Sequence, residues 1–142
     1  MENPVVTVER TFKAVAAVVW KALTDKNEMK KWYFDLADFK AEKGFQFQFK
    51  GGPEEKSYTH LCEVTEVIPQ KKLTYSWRYE GYEGISFVTF ELFEQGKDTL
   101  LKLTHTGIET FPKHPHFAKN NFMEGWNYII NTSLQGYLEP EK

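Results

Sequence analysis

An α+β fold, one antiparallel sheet with its apolar face covered by a C-terminal helix, is predicted by two periodicities and their order. Between residues 36 and 107 the hydrophobic period is close to two, and no helical stretch separates the strand-like segments. Such strands are neighbours in an antiparallel sheet. Between residues 122 and 138 the sequence FMEGWNYIINTSLQGYL turns to helical spacing. Phe122, Trp126, Ile129, Ile130, Leu134 and Tyr137 then share one side of a helix roughly 25 Å long. Whether that helix seals the sheet or leaves a pocket beneath it is the functional question.

The first element, residues 5–12, alternates Val6, Val8, Arg10 and Phe12 against Val5, Thr7, Glu9 and Thr11, which reads as a strand. Residues 14–23 switch to a helical stripe of Val15, Val18, Val19 and Leu23, flanked by Ala16 and Trp20. Thr24-Asp25 can cap a second short helix over 26–32, with Glu28 in its first turn, where a carboxylate suits the helix dipole. A weak strand is expected at 36–41. Stronger ones are expected at 45–49, 58–68, 73–79, 85–93 and 99–106, separated by turns rich in Gly, Pro, Lys and Asp. On the strand over 73–79, Leu73, Tyr75, Trp77 and Tyr79 share the inner face; on the last, Leu101, Leu103 and His105 do. Residues 108–118 form a loop into the closing helix.

The chain of 142 residues suits one domain with a full core. A formal charge of -2, with no basic cluster denser than Lys30-Lys31 or Lys71-Lys72, gives no reason to expect nucleic acid or an anionic membrane. The lone Cys62 excludes an intrachain disulfide and is the wrong count for structural zinc. The N-terminal residues lack a basic signal region, and the longest apolar run, residues 14–20, is too short to span a bilayer, so a cytoplasmic protein is expected. The unusual figure is 16% aromatic residues, which implies either a dense ring core or a ring-lined cavity.

The sequence resembles a known family at several points. Val8-Glu9-Arg10-Thr11-Phe12, Val19-Trp20-Lys21-Ala22-Leu23-Thr24-Asp25 and Lys31-Trp32 resemble the opening of START-like (SRPBCC) domains. The most similar branch is that of homologues of the activator of the heat-shock protein 90 ATPase. Glu63-Val64-Thr65-Glu66-Val67-Ile68-Pro69 with Leu73-Thr74-Tyr75-Ser76-Trp77 match the middle, and Thr99 to Gly107 with Gly125-Trp126, Leu134 and Tyr137-Leu138 match the end. The resemblance implies a helix-grip (birch-pollen-allergen-like) fold of about six to seven strands, and a hydrophobic cavity for lipids, sterols, polyketides or other small apolar molecules. The chain departs in two respects. Eukaryotic activators add a separate N-terminal chaperone-contacting domain, which is not expected here because residue 5 already starts the pattern. Cys62 also stands where many relatives have Gly.

Candidate ligand contacts are Trp32, Phe47, His60, Tyr75, Trp77, Tyr79, His105, Phe122, Trp126 and Ile130; the competing reading is a solid core built from the same rings. His105 suits a headgroup-orienting or acid–base role, or else a half-buried histidine bonded to the backbone. His114-Pro115-His116 lacks metal-ligand spacing, Cys62 lacks a basic neighbour, and Glu54-Glu55 and Glu63/Glu66 read as solvated charges. Gly51-Gly52 lacks the Lys-Ser/Thr of a phosphate loop, and no nucleophile or dinucleotide fingerprint occurs. No catalytic residue, metal or cofactor is expected. Three functions remain in view: binding of a small apolar or amphipathic ligand, action on a heat-shock chaperone in stress, and cyclase- or hydrolase-like catalysis with His105 and a buried Tyr.

Overall fold

The computed structural model describes residues 5–33, 38–51, 58–113 and 117–139. Strand β1 (Val6–Phe12) leads into helices α1 (Ala16–Thr24) and α2 (Lys26–Trp32). Strands β2 (Gln46–Gly51), β3 (Tyr58–Ile68), β4 (Lys72–Tyr79), β5 (Ser86–Gln95) and β6 (Asp98–Thr106) follow. A 3-10 turn at Ile108–Thr110 then precedes the closing helix. That helix starts at Lys119, three residues before the apolar stripe. It runs as α3 (Lys119–Tyr128), a π-helical turn (Ile129–Leu134) and α4 (Gln135–Leu138).

The strands form one antiparallel sheet in the order β1-β6-β5-β4-β3-β2. The weak strand expected at 36–41 does not form over residues 38–41, and its remainder lies outside the described residues. A register shift between Val64 and Glu66 lets β3 bend, as β-bulges do. Alternation holds to the end of β6, where Leu101, Leu103 and His105 have no exposure. On the outer face the register places Glu9, Lys102, Glu91 and Lys72 side by side on β1, β6, β5 and β4, and Lys72 Nζ reaches Glu66 Oε1 of β3 at 3.1 Å.

α2 has the expected bounds. Asp25 caps it, its Oδ1 accepting from the backbone N–H of Asn27 at 2.8 Å and of Glu28 at 3.3 Å. α1 differs from expectation in its face. Val15 is the non-helical N-cap, so helical phase starts at Ala16 and the buried set is Ala16, Val19, Ala22 and Leu23. Val15 and Val18 are each 47% exposed.

The closing helix buries Phe122, Trp126, Ile130 and Leu134, while Ile129 and Tyr137 are only half-buried. A spacing of four throughout drifts by about 40° per step on a helix of 3.6 residues per turn. The wider π turn absorbs that drift and keeps Leu134 on the sheet side. None of the helices of the described residues is long and apolar enough to cross a membrane.

Candidate functional site

The side chains singled out in the sequence converge on the volume between the sheet's inner face and the closing helix. All ten are 7% exposed or less. Trp77 is the rung of β4 that meets Trp126, with ring centroids 5.5 Å apart, and it also packs on Phe49 and His60. Tyr75 packs on Phe47 at 5.1 Å and on Phe90 at 5.9 Å. Tyr79 turns toward the connection after β6, against Phe117 at 4.8 Å and Phe111 at 5.1 Å. Phe122 lies 5.0 Å from the His105 ring, and Ile130 has no exposure. Trp32 is held by its Nε1–H donating to the Ala22 carbonyl at 2.8 Å, while Ser133 Oγ donates to the Trp32 carbonyl at 2.6 Å.

His105 is a tie between helix and sheet. Trp126 Nε1 is 3.0 Å from His105 Nδ1, and an indole nitrogen can only donate. Nδ1 is therefore the acceptor, and the proton sits on Nε2, 2.7 Å from Ser86 Oγ. Ser86 in turn donates to the Trp77 carbonyl at 2.9 Å. Each donor in this chain has one acceptor, and both ring nitrogens are engaged. Burial holds the imidazole neutral, its pKa lowered to about 3. His60 is also lowered, to about 4, by burial, although hydrogen bonding to the Tyr58 and Phe49 backbone opposes the shift.

Two hydroxyl contacts lie among these rings. Tyr33 Oη is 2.8 Å from Tyr75 Oη, and Trp77 Nε1–H donates to Tyr79 Oη at 2.9 Å. Burial pushes all three tyrosine hydroxyls and the Cys62 thiol above their ordinary values, so they remain protonated and neutral. Cys62 is buried, as a small apolar residue would be.

Sequence reasoning missed Tyr33 and Ser86. Ser86 was discoverable in principle, because it alternates in phase with Val88 and Phe90 on the inner face of β5. Tyr33 had no such signal. It follows the last residue of α2 with non-helical φ -124° and ψ -134°, and no periodicity predicts where it points.

The surface concavities lined by described residues include the following two. One, of about 520 Å³, lies over Gln46, Gln48, Leu61, Glu63, Ser76 and Arg78, with Phe47 and Cys62 of the ring cluster and Ile85 also on its lining. The other, of about 460 Å³, lies at the β3–β4 turn beside Phe93. Neither adjoins the ring cluster's helix side. Among the described residues no three His, Cys, Asp or Glu side chains converge on a metal position; His114 and His116 lie outside them.

Several solved structures share the architecture. The chain is similar to protein MLL2253 from Mesorhizobium loti at 26% identity, covering 97% of this chain and 98% of that one, with a TM-score of 0.81. It is similar to DynU16, a putative protein in the dynemicin biosynthetic locus, at 22% identity and a TM-score of 0.80; the match covers 98% of this chain and 48% of that one, so this chain spans about half its length. It is also similar to the Aha1 dimer from Colwellia psychrerythraea at 20% identity, covering 97% and 98% of the two chains, with a TM-score of 0.69. No curated protein matches the sequence. The helix-grip sheet and helix are thus those of START-like domains. Residues 13–139, nearly the whole chain, match the AHSA1 family, activator of Hsp90 ATPase homolog 1-like protein, and the chain belongs to that family.

Proposed function

We propose that the protein binds a small apolar or amphipathic molecule between its closing helix and the inner face of the sheet. One observation carries this reading: tyrosine hydroxyls meet inside the ring cluster, at Tyr33 and Tyr75, where an aliphatic core would do the packing at lower cost. Polar groups set among apolar walls orient a ligand in pockets of this kind. Phe47, Tyr75, Trp77, Tyr79, Trp126 and Ile130 supply apolar contact, with Trp32, His60 and Phe122 at the margins. At about 25 cal/mol/Å², burying ~300 Å² of ligand gives ~7.5 kcal/mol, close to micromolar binding before ordering costs. His105 enters as a support for Trp126 and not as an acid or base, since both its nitrogens are engaged.

Native mass spectrometry of protein isolated from its own host tests the reading, with a co-purified small molecule expected. Trp77→Ala and Trp126→Ala are expected to weaken its binding at least tenfold while the fold persists; unchanged affinity in both would overturn the assignment.

Family membership favours a second reading, action on the heat-shock protein 90 ATPase. Stimulation of that ATPase by saturating protein supports it, and an unchanged turnover rate rejects it.

A further inference from the structure

We infer that Tyr33 is a built-in occupant of the ligand site, and that the ligand replacing it carries a neutral aromatic hydroxyl group. The inference rests on the binding function proposed above and specifies its substrate class. The Tyr33 ring is stacked on Trp126, with centroids 6.2 Å apart and planes 17° from parallel, and lies 6.0 Å from the Phe49 ring. Its hydroxyl meets that of Tyr75, a residue only 1% exposed. A phenol thus already sits between an aromatic face and a buried hydroxyl. Trp126, Phe49 and Tyr75 stand on the closing helix and the sheet, so they keep their places when Tyr33 leaves.

Tyr33 is also the member best placed to move. It is half-buried where its neighbours are buried, and it caps the end of α2 in a non-helical conformation. The backbone behind it is pinned, by Tyr33 N–H to the Met29 carbonyl at 2.6 Å and by Ser133 to the Trp32 carbonyl. Swinging the ring outward therefore requires side-chain torsion without unwinding α2. A hydroxyaromatic ligand would restore both the stacking and the hydroxyl contact. A plain hydrocarbon would leave the Tyr75 hydroxyl without the oxygen it now faces. Among the described residues a carboxylate would find no cation here, because the surrounding Tyr, Cys and His groups are all held neutral.

The experiment titrates the full chain with 4-methylphenol, toluene and 4-methylbenzoate, following the Trp77 and Trp126 indole N–H signals by NMR, and the Trp77 signal alone in Trp126→Ala. The wild type is expected to prefer 4-methylphenol to toluene about three- to tenfold, the value of one hydrogen bond, and to leave 4-methylbenzoate unbound at pH 7. Tyr33→Ala is expected to tighten 4-methylphenol at least tenfold, and Tyr75→Phe to erase the preference over toluene. Tyr33→Leu, which keeps apolar volume, gives the same direction should the alanine variant fail to fold. Equal affinity for toluene and 4-methylphenol, or affinities indifferent to Tyr33, overturns the inference. Probes that bind regardless of Tyr33 but are lost in Trp126→Ala overturn it while leaving the binding function standing; no binding of any probe to any variant rejects both.

Discussion

Trp126 donates one hydrogen bond and can accept none, and this asymmetry orders every proton from the closing helix to β4. Trp126→Phe keeps most of the ring but leaves His105 Nδ1 buried without a donor. A loss of about 1–3 kcal/mol in urea unfolding is expected, most of it from that orphaned nitrogen. Ser86→Ala strands Nε2–H in the same way and should cost a similar amount. The two effects are expected to be strongly non-additive in the double variant, since both act through one imidazole.

The same histidine sets a pH dependence. Its folded pKa of about 3, and that of His60 at about 4, lie below the ordinary 6.5. Below pH 6.5 the unfolded chain therefore binds protons that the folded one refuses. Stability is full above about pH 6.5 and falls as pH drops toward the folded values, by up to about 1.4 kcal/mol per pH unit for each histidine. Urea unfolding at pH 7, 6 and 5 checks this. His105→Gln should flatten the slope, and a variant with the same slope as wild type would show that the imidazole is not held neutral.

At the level of elements, the closing helix solves a phasing problem. Phe122, Trp126, Ile130 and Leu134 are four apart, a spacing that suits the π turn better than a regular helix. Deleting exposed Thr132 is expected to convert the turn to regular α-helix with Leu134 still facing the sheet, lowering the melting temperature by only a few degrees. Inserting one alanine after Asn127 would rotate Ile130 and Leu134 by about 100° and should abolish cooperative unfolding.

The β4–β5 connection is fixed more tightly. Gly84 has φ +101°, and a Cβ there would come within 2.5 Å of the Thr110 carbonyl oxygen. Thr110 Oγ1 also accepts from the Ile85 N–H at 2.9 Å, holding the 3-10 turn against the strand entry. Gly84→Ala combines a disallowed dihedral with a backbone clash, so a loss above about 2 kcal/mol is expected in urea unfolding.

On the scale of the whole molecule, the outer sheet face is organised by charge. Glu91 lies between Lys102 and Lys72 in register, so Glu91→Lys sets three like charges in a row. A loss of about 1 kcal/mol is expected, shrinking in 1 M salt as screening removes the repulsion. This alternation made the sheet legible in sequence. Each strand keeps one polar and one apolar face, so period two assigns the inner ring set of Tyr75, Trp77, Tyr79 and His105 without knowledge of the fold. The shift of α1's face was not legible, because Val15, Val18 and Val19 are equally apolar and only the helix start decides among them. Tyr33 was invisible for a different reason. Its position follows from the exit angle of α2, a property no local pattern encodes.

The buried thiol has an experimental consequence of its own. Cys62 pairs in register with Phe47 on one side and Trp77 on the other, inside the ring cluster. The thiol is buried, so a soluble disulfide reagent reaches it when the packing around β3 loosens, from the helix side or from the concavity that Cys62 also lines. As the sole cysteine of the chain, it makes every labelling event a report on that loosening. The rate of thiol modification, with and without a bound guest, is therefore a clock for how often the packing around the ring cluster opens.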